Sequence, residues 1–267
     1  MAGLDDILLR ELNDQGVLRL TLNDPKRCNA LSEAMLIALS TALQEAEVNP
    51  NVRVVVLAAT GSVFCAGHDL KEINIGCNDA DAGLAYFNSL FTHCSKVMQA
   101  IVNSPKIIIA EIAGVATAAG CQLVASCDLA FATDSAKFAT PGVNIGLFCS
   151  TPMVALSRNV ANKHAMEMLL TGDLISAAKA EQMGLINRVV TVAELTDQSM
   201  AMAIKIASKS SMTLAIGKRA FYQQCTMSLA NAYQYASRVM VDNMLKQDAQ
   251  EGIDAFISKR PPIWSDK

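Results

Sequence analysis

Two short segments with small residues at a bend are the parts of this sequence best suited to chemistry. "FCAGHDL" at residues 64–70 follows one predicted strand, and "AGVATAAGCQL" at residues 113–123 follows another. Small residues at a strand-to-helix turn let backbone N–H groups face a ligand. If the two turns meet across a crevice, they supply two donors to one oxygen. The same small residues also permit close packing of a helix on a strand, so this structural interpretation stays open.

The two turns require a frame of strands and helices. "ILLRELN" and "GVLRLTLN" predict a hairpin, and residues 52–60 predict a buried strand. Between them, Ser32 is the predicted N-cap of a helix over residues 33–48, which ends near Asn49 and Pro50. The resulting unit is strand, strand, helix, strand.

The same order returns in a weaker form later in the chain. The pattern predicts a helix over residues 84–102, a strand after Pro105, a short helix opening near Ala119 and a strand over residues 128–134. From Thr151 onward the pattern is helical, and "INRVV" is the exception. A composition shift near residue 193 divides the chain into an α/β core, residues 1–192, and a helical segment, residues 193–267.

Composition narrows the possible partners. Hydrophobic residues make up 52% and charged residues 18% of the 267 residues, which predicts apolar surface buried between subunits of an oligomer. The net charge of -3 and the lack of a Lys/Arg-dense run argue against nucleic-acid and membrane partners. The opening "MAGLDDILLRELND" lacks the pattern of a signal or transit peptide, which predicts a cytoplasmic protein if the chain is complete.

The eight cysteines show no CxxC and no spacing typical of a zinc site. Several lie inside apolar segments, where a free cysteine behaves as a small core residue. We therefore expect reduced structural thiols and no metal site.

Five ordered motifs resemble the enoyl-CoA hydratase/isomerase, or crotonase, family over residues 9–264. They are "NDPKRCNAL", "RVVVLAATGSVFCAGHDLKEI", "KIIIAEIAGVATAAGCQLVASCDLAFATDSAKFATPGVNIGL", "MEMLLTGDLISAAKAEQMGLINRVV" and "EGIDAFISKRPPIW". The resemblance implies an α/β fold, a crotonase (ClpP-like) spiral of repeated strand-strand-helix units with a helical C-terminal trimerisation segment. It also implies homotrimers that pair into hexamers, acyl-CoA thioester ligands and no prosthetic group.

The resemblance assigns an oxyanion hole to the backbone N–H groups of His68 and Ala119. These donors belong to the backbone, so they are present whichever side chains occupy the two positions. The positive end of the helix that opens near Gly120 adds to the stabilisation of a thioester enolate oxygen.

The resemblance also assigns the contacts with coenzyme A, which is part of the substrate. By this resemblance, Lys71 lies beside the phosphates. Phe256 and Lys259, near the C-terminus, reach the adenine from a neighbouring subunit. The positions carried over from the family are Cys28, Ala30, Ala66, Leu70, Lys71, Phe256 and Lys259.

The two catalytic glutamates of the family's hydratases correspond to Gln122 and Gly142. Gln122 cannot exchange a proton near neutral pH, and Gly142 offers no side chain. Each acid or base supplies about 100- to 10,000-fold in rate, so standard hydratase activity is expected to be weak or absent. Restoring both glutamates is expected to raise hydration if the scaffold is otherwise competent.

Other residues could replace the missing acid or base. His68 has a suitable pKa range, and "GHD" also resembles the decarboxylase branch of the family, but the ring could instead pack or cap. Cys149 and Asn144 could face the acyl group. As a nucleophile, Cys149 would need a lowered pKa, and a packed thiol is the alternative.

Three further positions have structural interpretations. His93 and His164 lie in helical runs and are expected to pack or cap. Asp128 is expected to be structural. For the whole protein, two functions stay open: an enzyme that stabilises a thioester enolate, and a non-catalytic acyl-CoA-binding module.

Overall fold

The predicted N-terminal hairpin is confirmed. The computed structural model describes residues 7–267. Strand β1, Leu8–Leu12, pairs antiparallel with β2, Val17–Leu22, and Leu12 lies opposite Leu18. The Asn13 side chain accepts hydrogen bonds from the backbone N–H groups of Gln15 and Val17, which closes the turn between the strands.

The first long helix begins and ends where its sequence predicts. Helix α1 spans Glu33–Val48, and the Ser32 hydroxyl accepts the N–H of Met35 at 3.2 Å as its N-cap. The helix stops at Asn49, because the proline at position 50 disfavours a helical conformation in the residue before it. Its buried face packs into the main hydrophobic core.

Two sheets form the frame of the molecule. The larger has the order β1-β2-β3-β5-β7-β10, and every pair except β1 with β2 is parallel. Its further strands are β3, Val54–Ala59, β5, Ile107–Ile112, β7, Leu129–Thr133, and β10, Arg188–Val190. These strands are largely apolar runs because both faces of the sheet are covered.

The smaller sheet has the order β4-β6-β8-β9. Its strands are β4, Val63–Cys65, β6, Val115–Thr117, β8, Lys137–Ala139, and β9, Ile175–Ser176. Sequence periodicity did not predict these strands, because a segment of two or three residues is too short to show the alternation of apolar and polar side chains. They nevertheless complete the repeat, since β3, β5 and β7 are each followed directly by one of them.

Helices follow the short strands. Helix α2, Leu70–Gly76, and helix α3, Leu84–Asn103, come after β4, and helix α4, Ala119–Ser126, comes after β6. A 3-10 turn, Pro141–Ile145, comes after β8. The next helices are α5, Ser150–Leu156, α6, Asn162–Thr171, and α7, Ala177–Met183, which ends at the left-handed Gly184.

The chain after β10 is helical. The helices are α8, Leu195–Ala207, α9, Ser211–Gln224, α10, Leu229–Met244, and α11, Gln247–Ile257. Two short breaks, after Gln224 and after Met244, separate the last three helices. Helix α8 packs on the sheet against Val56, Ile109 and Phe131. The division of the chain into an α/β core and a helical segment after residue 192 stays a prediction.

A buried ion pair anchors α9 to the core. Lys218 Nζ lies 2.7 Å from Asp128 Oδ2 and also donates to the carbonyls of Ile101 and Lys106. Tyr222 donates its hydroxyl to the other carboxylate oxygen of Asp128 at 3.0 Å. The structural role expected for Asp128 is thus visible in its contacts.

A second buried carboxylate joins α8 to the sheet. Glu111 on β5 accepts two hydrogen bonds from the Arg19 guanidinium, at 2.6 and 2.7 Å. Thr196 and Ser199 of α8 donate their hydroxyls to the same carboxylate. In residues 7–267, no helix is long and apolar enough to cross a membrane.

Candidate active site

The two predicted turns meet. Gly67, between β4 and α2, adopts a φ of +95°, and a Cβ built there would lie 2.9 Å from the Ala118 Cβ and 3.2 Å from the Ala119 nitrogen. Only glycine allows this approach of the two backbones. The Leu31 N–H donates to the Gly67 carbonyl at 2.7 Å, which fixes the turn from its other side.

The first turn of α4 rests directly on β4. A Cβ at Gly120 would lie 2.1 Å from the Cys65 carbonyl oxygen, so glycine is required here by space. Ala118, just before the helix, has a φ of +50°, and its N–H donates to the Ala139 carbonyl at 2.9 Å. The end of β8 therefore lies beside the start of α4.

The amides assigned to the oxyanion hole have no hydrogen-bond acceptor within the part of the chain that the structure describes. None of the hydrogen bonds formed by residues 7–267 uses the N–H of His68 or Ala119 as its donor. Ala119 opens α4, so its N–H lacks an intrahelical partner and lies at the positive end of the helix dipole. Both donors flank the contact between Gly67 and Ala118. Their role at a substrate oxygen stays a prediction.

The His68 ring is packed, and its nitrogens are unpaired. The ring meets Phe91 of α3 edge-on, with centroids 5.4 Å apart and planes at 84°. Neither ring nitrogen has a hydrogen-bond partner within the described chain. Burial lowers the pKa of His68, and the Leu31 backbone opposes this only in part. The ring is therefore uncharged at neutral pH.

Gln122 faces the same region with an unpaired oxygen. It lies three residues after Ala119, hence on the same face of α4, and is only 5% exposed. Its Oε1 has no partner among residues 7–267. An orphaned, buried amide oxygen of this kind is suited to accept a hydrogen bond from a ligand or a bound water.

Gly142 has no space for a side chain. A Cβ built there would lie 2.5 Å from the Leu147 carbonyl oxygen and 2.9 Å from Cys149 Sγ. The Leu147 N–H donates to the Gly142 carbonyl, so residues 142–149 fold back on themselves. A glutamate fits here only if the Leu147 backbone moves, so the gain expected from restoring both glutamates requires a change in this loop as well.

Cys149 is a packed thiol at the edge of this site. Its Sγ accepts the Gly142 N–H at 3.3 Å, and the residue is 8% exposed. Burial raises the pKa of Cys149, and the Gly142 N–H opposes that rise. This is the reverse of what a thiolate nucleophile needs. Asn144 is exposed and its amide nitrogen lies near Gly172, so it turns away from the thiol.

The residues predicted to contact coenzyme A form two groups. In the first, the Ala66 N–H donates to the carbonyl of Cys28, which has a left-handed φ of 54°, while Leu70 and Lys71 are exposed at the start of α2. The Asp69 carboxylate caps α2 by accepting the Lys71 N–H at 2.8 Å. The hydrogen bond between Ala66 and Cys28 joins two of these segments, and Ala30 is buried. The contact of these residues with coenzyme A stays a prediction.

The second group lies in the C-terminal helices. Phe256 is 86% exposed and lines a groove of about 660 Å³ with Met244 and Trp264. Lys259 follows it with a φ of 53°. The Cys28 and Ala66 segments do not line this groove. A contact of Phe256 and Lys259 with an adenine held by a neighbouring subunit stays a prediction.

Two residues near the site were missed from the sequence. Thr140 is 0% exposed, and its hydroxyl has no partner in the described chain. Phe91 lines a groove of about 470 Å³ between α3 and Thr151 of α5. No local signal marks either one, since their position depends on contacts between distant segments.

The remaining candidates lie elsewhere. His164 is on α6, 3.8 Å from Glu167, and His93 lies within α3. All eight cysteines are free, which confirms unpaired thiols. Across residues 7–267, no group of three or more His, Cys, Asp or Glu side chains is placed to hold a metal ion.

Comparison with known proteins decides the family. A family model described as enoyl-CoA hydratase/isomerase matches residues 13–267. The chain belongs to the enoyl-CoA hydratase/isomerase family. The predicted crotonase fold is confirmed by two solved members of this family. An enoyl-CoA hydratase from Mycobacterium smegmatis has a TM-score of 0.91 and 50% identity, with 97% of this chain and 98% of that chain covered.

The other family structure is human enoyl Coenzyme A hydratase domain-containing protein 3. It has a TM-score of 0.92 and 47% identity, with 97% of this chain and 100% of that chain covered. Among curated sequences, the mouse enoyl-CoA hydratase domain-containing protein 3, mitochondrial, is 52% identical over 251 residues, which are 94% of this chain and 82% of that protein. The expectation of a cytoplasmic location is wrong, because the mouse, rat and human relatives are named mitochondrial proteins.

Proposed function

We propose that this protein binds an acyl-CoA thioester and stabilises its enolate through the backbone N–H groups of His68 and Ala119. The observation that carries the proposal is the contact between Gly67 and Ala118, which brings these two unused donors to one place. A donor aimed at a developing oxyanion contributes about 3 kcal/mol in other enzymes. The N-terminus of α4 adds its dipole.

The coenzyme A portion of the substrate would lie along the first turn of α2. The backbone of Cys28, Ala30 and Ala66 would line this path, and the exposed Lys71 would contact the phosphates. Leu70 is exposed beside it. An exposed apolar side chain next to a lysine suits a ligand with a charged and an apolar part.

The adenine would be reached by Phe256 and Lys259 of a neighbouring subunit. In support, Phe256 is largely exposed, as are Leu245 and Ile257 in the same helical segment. Contiguous exposed apolar residues mark an interaction surface. We therefore propose a homotrimer, or a hexamer of two trimers, as the functional form.

We further propose that hydration by two carboxylates is weak or absent. Gln122 presents an amide where the family's hydratases place a glutamate. Gly142 lacks a side chain, and the Leu147 carbonyl occupies the space that one would need. General acid-base catalysis contributes about 100- to 10,000-fold per group, so the loss of both leaves little hydratase rate.

One observation favours the second candidate, a non-catalytic acyl-CoA-binding module. Two titratable side chains of the segments around the hole, His68 and Cys149, have pKa values that burial shifts toward the uncharged form. A site with donors for the thioester oxygen but slow proton transfer would bind a thioester and release it unchanged. We also propose a mitochondrial location, following the names of the relatives.

The test combines binding with turnover. Calorimetry with butyryl-CoA measures binding, and the ultraviolet absorbance of crotonyl-CoA at near-stoichiometric protein measures hydration. Gly67→Ala pushes a methyl group against the Ala118 Cβ and should weaken butyryl-CoA binding by about tenfold or more, because it separates the two donors. Arg158→Ala, at an exposed position in the turn after α5, is the control.

Three results would count against the proposal. The wild-type protein could fail to bind butyryl-CoA, which would remove the thioester as a ligand. Gly67→Ala could bind as well as wild type, which would exclude the two amides. Rapid hydration of crotonyl-CoA would show that another residue has replaced the missing carboxylates. Binding without hydration is the expected result.

A further inference from the structure

Three side chains whose buried polar atoms have no hydrogen-bond partner in residues 7–267 belong to the segments that meet at the candidate site. They are His68 on the first turn, Gln122 in α4 and Thr140 at the end of β8. The Ala118 N–H donates to the Ala139 carbonyl, so the last two segments are joined beside the oxyanion donors. Orphaned groups are rare in a folded protein, and a cluster of them indicates a ligand that supplies the missing partners.

Few side chains near this cluster can exchange a proton. Asp69 is used as the cap of α2 and also pairs with Arg27 at 3.2 Å. His68 is turned edge-on to Phe91. Cys65 and Cys121 are almost completely buried in the core and are not accessible to a ligand. Cys149 is the remaining candidate, since it is 8% exposed and, within residues 7–267, the Gly142 N–H is the only hydrogen-bond partner of its sulfur.

The position of Cys149 is tied to the site by two contacts. Its Sγ lies 2.9 Å from where a Cβ at residue 142 would be, so the thiol fills space that a side chain there would occupy. Helix α5, which begins directly after Cys149, also packs against α4, the helix that begins at Ala119. The thiol therefore lies beside the helix that carries Ala119 and Gln122.

We propose that Cys149 transfers the proton at the carbon α to the thioester carbonyl of the bound substrate. This inference rests on the proposed function, because it requires an acyl-CoA enolate held by the two amides. The thiol acts as the acid of the site. It lies beside Gly142, where the Leu147 carbonyl leaves no space for a carboxylate side chain.

The step balances without any added reactant. Cys149 Sγ gives its proton to the α-carbon, and the electron pair of the enolate double bond forms the new C–H bond. The enolate C–O bond becomes the thioester carbonyl again, and the thiolate takes a proton from water. In reverse, the thiolate removes the α-proton and the negative charge moves to the oxygen at the hole.

The environment of the thiol agrees with this role. Burial raises its pKa, so the sulfur is protonated at neutral pH and ready to donate. The same rise makes the thiolate, when it forms, a stronger base than a carboxylate. Cys149→Ser keeps the size and the acceptor for the Gly142 N–H, but a hydroxyl does not ionise in this range.

The experiment is hydrogen–deuterium exchange at the α-carbon of butyryl-CoA in D2O, followed by mass spectrometry at near-stoichiometric protein and one fixed pD. The wild-type protein should exchange the α-protons faster than the protein-free solution. Cys149→Ser and Cys149→Ala should lower the exchange rate by about 100-fold or more. Cys225→Ser, an exposed thiol after α9, is the matched control and should exchange like wild type.

Calorimetry with butyryl-CoA on every variant separates chemistry from binding. Lost exchange with retained butyryl-CoA affinity and an unchanged melting temperature supports the assignment. Exchange that survives in Cys149→Ser overturns it and transfers the role to His68. Absence of exchange in a wild-type protein that binds butyryl-CoA overturns it as well. Absence of binding instead overturns the proposed function, and this inference with it.

Discussion

At the scale of single residues, the space around two glycines determines what the site can do. Gly67 lets the two backbones approach, and Gly142 lets the loop after β8 fold back onto itself. Both positions could be assigned to the site from the sequence, because each lies within a recognisable motif. The obstruction at Gly142 could not be predicted, since it comes from Leu147 and Cys149, whose placement depends on how the loop closes.

We predict that Gly142→Ala destabilises the fold by about 1–3 kcal/mol, because the added methyl group meets the Leu147 carbonyl in a packed loop. The free energy of unfolding in a denaturant titration measures the effect. Gly217→Ala is the control, since nothing lies within 4 Å of a Cβ at that position in α9. An unchanged free energy for Gly142→Ala would show that the loop adapts freely.

At the scale of elements, two buried carboxylates attach the C-terminal helices to the sheet. Asp128 anchors α9, and Glu111 anchors α8. The sequence indicated that Asp128 is structural, but the partner of neither carboxylate could be predicted. Lys218 is far from Asp128 along the chain, and only the folded arrangement of α9 brings them together.

We predict that Lys218→Met lowers the free energy of unfolding by about 3–5 kcal/mol, because it leaves the Asp128 carboxylate buried without its counter-charge. Burial already raises the pKa of Asp128, against the opposing effect of Lys218. The loss should therefore be smaller at acidic pH, where the carboxyl takes up a proton. Lys205→Met, on the exposed side of α8, is the control.

The Glu111 network predicts acid sensitivity. Burial acts to raise the pKa of Glu111, but hydrogen bonds from Arg19 and Ser199 outweigh it and hold the pKa below the usual 4.5. A carboxyl with a lowered pKa contributes stability that is present above its usual value and is lost as the pH falls through the folded value. Stability should therefore decrease below about pH 4.5, where unfolded carboxyls bind protons first.

Denaturant titrations across this acidic range test the prediction. Glu111→Gln should show a shallower loss of unfolding free energy with falling pH than wild type does. Glu47→Gln, at an exposed position of α1, should follow the wild-type slope. Equal slopes for wild type and Glu111→Gln would mean that this carboxyl does not titrate with folding.

Elements with a local sequence pattern were predictable, and the shortest strands were not. The hairpin and α1 were predicted closely, because alternation, a turn and an N-cap each leave a local pattern. Strands β4, β6 and β8 were not resolved, because segments so short carry no periodicity of their own. They matter for function, since β4 and β6 lead directly into the two turns of the site.

At the scale of the whole molecule, one face of the C-terminal helices is apolar and exposed. Its residues in α10 and α11 are Tyr233, Met240, Val241, Met244, Ile253, Phe256 and Ile257. An apolar face of this kind is stable in water only when a partner covers it. The high apolar fraction of the sequence predicted such a surface, and the family resemblance implied a trimerisation segment in this part of the chain.

We predict a trimer or hexamer by size-exclusion chromatography with light scattering. Met240→Glu combined with Met244→Glu should shift the protein to smaller species, because it places charge within the apolar face. Val48→Glu, an exposed apolar position at the end of α1, is the control. A wild-type monomer, or a double variant with unchanged mass, would contradict the assignment of this face.

The fold of the loop after β8 also limits how this protein can change by mutation. At Gly142, any single substitution that adds a side chain meets the Leu147 backbone before it can offer a new functional group. A carboxylate at this position therefore becomes accessible only after an earlier change has opened residues 142–149. Because a change that only opens this loop adds no functional group, a carboxylate at position 142 requires two coordinated changes.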